Sequence, residues 1–184
     1  MWEEGKIQIY TGDGKGKTTA SLGAAIRVAG AGLKAAIVYF DKGGKHYSER
    51  NILDQLKASG VPIEYVATGT DRINPETGVF RFENLPEDVT EAKRGLEVAF
   101  NFLHRQDPPR LLVLDEILNA IRVKLLTVED VLSLLDQKPK SMELILTGRE
   151  IPKKIKDHAD LITEMKLHKH YFYSGVKSRE GIEW

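Results

Sequence analysis

Thr11-Gly12-Asp13-Gly14-Lys15-Gly16-Lys17-Thr18-Thr19 decides how the rest of the chain is read. A short β-prone segment, residues 6–10, precedes it, and an alanine-rich segment with Leu22 and Ile26, residues 20–29, follows. Strand, glycine-rich turn and helix start are the context that a phosphate-binding loop needs. The glycines let the backbone curl so that successive N–H groups converge. The helix adds the positive end of its dipole. Lys17 then supplies a mobile positive charge, and Thr18 a hydroxyl for a Mg²⁺ ion. The standard pattern places a glycine where this chain has Thr11. The loop is therefore expected to hold a phosphate chain differently from an ordinary ATPase.

Working outward, 184 residues suffice for one substantial core and suggest one domain over 1–184. Lys plus Arg and Asp plus Glu each number 27, so no global positive field advertises nucleic acid as a partner. The absence of cysteine excludes a disulfide frame and cysteine-based zinc or iron–sulfur sites. No apolar run is long enough for a membrane span. The first residues lack the basic and apolar regions of a secretion signal, so the expected location is cytoplasmic.

The expected elements alternate. A strand over 6–10 and a helix over 17–29 are followed by a buried strand over 35–40. The polar turn Asp41-Lys42-Gly43-Gly44-Lys45 lies at the strand end where open α/β sheets place ligands. A helix is expected over 48–58 and a strand over 63–67. Residues 68–86 are irregular, with Pro75 and Gly78 among the apolar Val79, Phe80 and Phe82. They read equally as a functional, mobile loop or as a small hairpin around Gly78.

The long helix over 87–105 repeats Ala92, Leu96, Ala99, Phe100 and Leu103 at helical spacing. Leu111-Leu112-Val113-Leu114 is a buried strand ending in Asp115-Glu116, where a P-loop protein keeps its Mg²⁺-associated carboxylate. A short helix around Asn119 follows, then a helix capped by Thr127. A strand over 142–146 leads into Thr147-Gly148-Arg149. A short helix over 152–157 and a strand at Leu161-Ile162 come next. Residues 166–173 alternate charge and aromaticity and are expected as an edge strand. The tail to Trp184 reads as a lid, a packed arm or a disordered end. The sum is an α/β chain: a three-layer, P-loop NTPase-like fold with a mostly parallel central sheet.

These landmarks together resemble the P-loop type ATP:corrinoid adenosyltransferases (cob(I)alamin adenosyltransferases). The resemblance begins with Gly12 to Thr19 and Arg27, and continues through Phe40-Asp41-Lys42-Gly43 and Ser48-Glu49-Arg50-Asn51. Leu114-Asp115-Glu116 and Thr147-Gly148-Arg149 follow. Its most distinctive part is the ending: Ala159 to Met165, Lys169-His170, Gly175-Val176-Lys177 and Gly181-Ile182-Glu183. The resemblance implies transfer of the 5′-deoxyadenosyl group of ATP to the reduced cobalt of a corrinoid, with the whole triphosphate leaving. It also implies a homodimer, Mg²⁺ or Mn²⁺, and ATP bound in reversed orientation. Two departures stand out. The family's Gly-Phe-Thr-Trp segment near the corrinoid is absent after Thr68-Gly69, and few residues precede the first strand to form a covering segment. Closure over the corrinoid, or the corrinoid preferred, is expected to differ.

Such a reaction is substitution at a primary carbon with cobalt(I) as nucleophile, so no protein nucleophile or base is needed. The protein must supply geometry and charge. Lys17 and the loop N–H groups of Gly14 to Thr18 are expected around the phosphates, with Gly12, Asp13 and Thr19 in the same loop. Thr18 and Glu116 are the expected metal ligands, and Asp115 orients the metal's water shell. Lys15 and Arg27 are secondary phosphate candidates, or else solvated surface charges. Arg149 contacts nucleotide or buttresses the loop. Phe80 and Phe82 are the candidates for the apolar face of the corrinoid, or satellite packing under their loop. None of the five histidines has zinc-ligand spacing. Nothing resembles a flavin or iron–sulfur site, so the electron for cobalt(I) is expected from a flavoprotein or free reduced flavin. A P-loop ATPase or small-molecule kinase, and a non-catalytic nucleotide or corrinoid carrier, are the competing classes.

Overall fold

The computed structural model describes residues 3–73 and 76–183. Met1, Trp2, Asn74, Pro75 and Trp184 lie outside the described residues, so the expectations placed on the first residues, the irregular loop and the tail are followed only in their described parts. Six strands form one sheet: β1 (Ile7–Thr11), β2 (Ala35–Tyr39), β3 (Ile63–Ala67), β4 (Leu111–Asp115), β5 (Glu143–Thr147) and β6 (Leu161–Glu164). Their order is β3-β2-β4-β5-β1-β6, and every pairing is parallel. Parallel neighbours require crossovers, which the chain makes with α1 (Lys17–Gly30), α2 (Glu49–Ala58), α3 (Pro86–Leu103), α4 (Ile117–Arg122), α5 (Val128–Asp136) and α6 (Lys153–Lys156).

The period-two alternation of the strands sorts the core into two layers. Ala36, Val38 and Phe40 of the β2 segment, Leu112 and Leu114 of β4, and Leu144 and Leu146 of β5 face Ala99, Phe102, Ile117 and Leu134 from α3, α4 and α5. The intervening Ala35, Ile37, Tyr39, Leu111, Val113 and Ile145 face Ala25 and Ala29 of α1 and Leu53 of α2. Strands β2 and β4 are buried at every residue. This explains why they read as continuous apolar runs rather than alternating ones. Each fully buried leucine or isoleucine contributes about 1.5–3 kcal/mol. The small residues Ala25 and Ala29 let α1 lie close against the sheet centre.

One local reading is corrected. Residues 166–173 form no edge strand: β6 is the sheet edge on that side, and the chain after it contains one 3₁₀ turn, Tyr171–Ser174. That turn is nucleated by His170, whose Nδ1 accepts the Phe172 N–H at 3.1 Å. Helix α2 packs on the sheet through the buried Leu53, while Ile52 is exposed. Residues 68–86, read as a loop or a small hairpin around Gly78, carry among the described residues one antiparallel bridge, between Ile73 and Phe80, and the segment is pinned from inside. Asp88, wholly buried in the first turn of α3, accepts from Arg81 Nη1 at 2.7 Å, from the Leu85 N–H at 2.8 Å and from the Thr70 hydroxyl. Arg72 adds a 2.7 Å bond to Asp41.

Strand β5 lies between β1 and β4, so the tips of β1, β5, β4 and β2 stand side by side at one edge of the sheet. The phosphate loop, the acids and the turn after β2 meet there.

Candidate active site

The loop between β1 and α1 closes on Gly16, whose φ of 115° is open to glycine but strained for other residues. Gly12 (φ 98°) and Gly14 have a further reason to be glycine. A Cβ at either would lie 2.4 or 2.6 Å from the Met165 carbonyl oxygen. The chain leaving β6 runs against the loop, with Met165 N–H bonded to Thr11 O at 2.8 Å and Gly14 N–H to Met165 O at 2.7 Å. This corrects the expectation that the Gly14 N–H faces a phosphate, because it is already committed to Met165. Among the described residues, the N–H groups of Lys15, Gly16, Lys17 and Thr18 find no protein acceptor. They are the unsatisfied donors that the start of α1 offers to an anion.

Lys17 is buried, and its ammonium donates to the carbonyls of Gly12 (2.7 Å) and Gly14 (2.8 Å). Burial lowers its pKa from the ordinary lysine value, against an opposing pull from Glu116. Lys15 points elsewhere. Its ammonium is held by the tail, at 2.6 Å from Ile182 O and 2.8 Å from Glu183 Oε1. Tyr171 and Arg179 also bond to that carboxylate. The tail is thus a packed arm over one rim of the loop. The Glu183 carboxyl is held well below the usual carboxylate range by Arg179, Lys15 and Tyr171.

Asp115, at the tip of β4, has no exposed surface. Its Oδ1 accepts from Thr147 Oγ1 at 2.8 Å, and its Oδ2 from Thr18 Oγ1 at 3.1 Å and Lys42 Nζ at 2.6 Å. Lys42 also donates to Thr18 Oγ1 at 3.0 Å. Glu116 adopts a left-handed conformation (φ 63°) that turns the chain from β4 into α4. Its N–H donates to Thr147 Oγ1 at 2.9 Å, and its Oε2 accepts from the Asn119 amide. Burial, then the neighbouring Asp115 charge, raise the Glu116 pKa above the ordinary value. Asn119 works in two directions, since its Oδ1 also accepts the Arg149 N–H at 2.9 Å.

These residues surround a cleft of about 810 Å³. Asp13 to Thr19, Glu116 and Arg149 line it as the sequence leads one to expect, and Arg149 Nη1 stands 3.9 Å from Asp13 Oδ1. Asp115 lies beneath the lining and reaches it through Thr18 and Lys42. Four other expected residues do not line the cleft: Gly12, whose carbonyl takes the Lys17 ammonium behind the loop, Arg27, Phe80 and Phe82. Arg27 sits in the last turn of α1, about 15 Å along the helix from Lys17 at 1.5 Å per residue. Phe80 (47% exposed) and Phe82 (88%) stack edge-to-face on each other on the outer surface of their loop, with centroids 5.0 Å apart. Tyr47, Phe172 and Tyr173 supply aromatic surface at the cleft instead.

Lys42, Thr147, Asn119 and Glu183 were not singled out as site residues from sequence. Lys42 had the clearest signal, because it follows a buried strand and sits in the turn already read as ligand-facing. The other three stand inside or beside segments quoted for the resemblance.

Among the described residues, no three His, Cys, Asp or Glu side chains gather closely enough to hold a metal alone. The donor set at the cleft is Thr18 hydroxyl and Glu116 carboxylate, backed by Asp115. Such hard oxygen donors, too few for a cage, fit Mg²⁺ or Mn²⁺ arriving with nucleotide phosphates.

A wholly parallel sheet, a glycine loop opening a helix and acids at the adjacent strand tip define a P-loop nucleotide-binding α/β protein. A family model for "ATP:corrinoid adenosyltransferase BtuR/CobO/CobP" matches residues 3–184, and the chain belongs to that family. A corrinoid adenosyltransferase of Sinorhizobium sp is 33% identical over 183 residues, covering 99% of this chain and 81% of that one. Corrinoid adenosyltransferase CobA of Salmonella typhimurium is 34% identical over 183 residues, covering 99% and 87%. The Escherichia coli K12 corrinoid adenosyltransferase is 32% identical over 182 residues, with the same coverage. The chain is an adenosyltransferase acting on ATP and a corrinoid. Among the described residues, no helix is long and apolar enough to cross a membrane.

Proposed function

We propose that this chain, folding as one domain, moves the 5′-deoxyadenosyl group of ATP onto cobalt(I) of a corrinoid and releases intact triphosphate. The observation that carries this reading is the pairing of free helix-start donors with buried Lys17 in one cleft. That arrangement suits a clamp for a leaving group. Charge accumulates on the triphosphate as the carbon–oxygen bond breaks, and fixed donors stabilise it without reorganising. Lys17 leaves the carbonyls of Gly12 and Gly14 to meet the phosphates. Thr18 and Glu116 would hold the divalent ion, Mg²⁺ or Mn²⁺, and Asp115 would order its surroundings through Thr18. The ion, when bound, neutralises phosphate charge. Asn119 fixes the orientation of Glu116. Arg149, backed by the same Asn119, faces the nucleotide. The aromatic rim of Tyr47, Phe172 and Tyr173 offers the corrinoid a flat apolar contact, a role read from sequence onto Phe80 and Phe82. Those two keep that role only if their loop swings or a second subunit brings it to the cleft.

The enzyme acts in the cytoplasm as a homodimer and receives its electron from a flavoprotein or free reduced flavin. The test is direct. Protein, ATP, Mg²⁺ and chemically reduced corrinoid are mixed without oxygen, and the phosphates released are separated. One triphosphate per new cobalt–carbon bond is expected. ADP and phosphate independent of corrinoid would signify an ATPase, and binding without product a carrier.

A further inference from the structure

Lys42 stands where the reaction needs a different cation. Its ammonium is 2.6 Å from Asp115 Oδ2 and 3.0 Å from Thr18 Oγ1, and the two oxygens are 3.1 Å apart. The position is built rather than incidental. Asp115 is wholly buried and its other oxygen is taken by Thr147. The Lys42 side chain is 12% exposed. The Lys42 backbone is fixed from outside: its carbonyl accepts from Arg50 Nη2, while Arg50 Nη1 holds Gly44 O at 2.8 Å. The Arg50 guanidinium stacks 4.6 Å from the centre of the Tyr47 ring. The main chain is anchored, and the ammonium at the end of the four-carbon stem lies over the Tyr39 and Tyr47 rings, 5.4 and 5.5 Å from their centres.

We propose that Lys42 is a resident counter-cation that holds the metal position in the nucleotide-free protein and yields it to the divalent ion entering with ATP. A buried carboxylate without a cation is costly, and Lys42 supplies one before substrate arrives. Mg²⁺ takes its oxygen ligands at about 2.1 Å. An ion on Thr18 Oγ1 facing Asp115 and an ammonium at 2.6–3.0 Å from the same atoms exclude each other by charge and by space. Once displaced, Lys42 has the triphosphate within its reach, because it lines the same cleft as Lys17. The exchange makes metal binding conditional on nucleotide: the ion must bring phosphate ligands to outcompete the lysine, and the phosphates receive a second lysine in return.

The inference rests on the metal-assisted reading above, yet its test does not depend on turnover. Mn²⁺ is titrated into nucleotide-free protein, and the free ion is followed by its electron paramagnetic resonance signal. Wild type is expected to bind Mn²⁺ weakly, and Lys42→Gln at least about tenfold more tightly. Equal affinity would overturn the proposal even in an enzyme that transfers adenosyl groups normally. Should Lys42→Gln fail to fold, a crystal structure of wild type with Mn²⁺ and ATP decides, the ion being located by its anomalous scattering. Manganese beside Thr18 with Lys42 turned to a phosphate oxygen is the expected result. Lys42 still on Asp115, with manganese elsewhere, would overturn it.

Discussion

The carbonyl of Met165 accepts the N–H of Gly14 at 2.7 Å, which ties the chain leaving the edge strand to the phosphate loop. The loop's curvature is thus set partly from outside, by a segment about 150 residues away in sequence. Gly14→Ala would drive a Cβ into backbone atoms of Met165 and Lys166 that have no side-chain freedom to yield. The expected cost is about 1–3 kcal/mol, as for other overpacked sites, with ATP affinity falling at least tenfold. Chemical denaturation and calorimetric titration of the variant measure both, and unchanged values would show that the loop is set locally.

Glu116 should trade stability for function. Burial and Asp115 raise its pKa, so the folded state binds its proton more tightly than the unfolded chain does. Its ionisation therefore costs stability as pH rises from the unfolded value of about 4.3 through the folded one. Glu116→Gln is expected to melt higher than wild type near pH 8 and to lose that advantage near pH 4. It should also lose most metal-dependent turnover. A variant that melts lower than wild type at pH 8 would contradict this.

The Asp88 cluster carries the opposite sign. Arg81, with the Leu85 N–H and Thr70 hydroxyl, holds the Asp88 carboxyl far below the ordinary range against its burial. Its stabilisation is complete above the unfolded pKa of about 3.9 and is lost as pH falls toward the folded value. Asp88→Asn, which removes one partner of a buried pair, is expected to cost about 3 kcal/mol at pH 7 and less at pH 2.5. Urea melts at the two pH values give the comparison. Residues 68–73 should exchange amide hydrogens faster in the variant, since Thr70 and Arg81 lose their anchor.

The strand runs, the glycine loop and the acids at the β4 tip were legible because each is a local pattern: continuous burial, sharp backbone curvature, and charge at a strand end. Thr18, Lys17 and Glu116 met in space because the βα unit and the parallel order bring those tips together. What local pattern does not encode is which side chain takes which partner. Lys15 resembles Lys17 in sequence but goes to Glu183, 168 residues away. Glu116 was read as the ligand and Asp115 as ordering the metal's water, yet it is Asp115 that bonds Thr18, while the Glu116 carboxylate, also at the cleft, is held by Asn119. Residues 166–173 looked like a strand because aromatic and charged residues alternate. The neighbouring β6 already occupies the sheet edge, and His170 caps a 3₁₀ turn instead.

The central claim is that this fold clamps a departing triphosphate, and Lys17 tests it most directly. Under single turnover with saturating ATP, Mg²⁺ and reduced corrinoid, cobalt–carbon bond formation is followed by absorbance and the released phosphates are separated. Losing one preorganised donor of this kind costs about 10²–10³ in rate. Lys17→Ala is expected to slow by that factor while still releasing intact triphosphate. Lys15→Ala, whose ammonium serves the tail, should slow less. Equal rates for wild type and Lys17→Ala, or ADP and phosphate in place of triphosphate, would contradict the account.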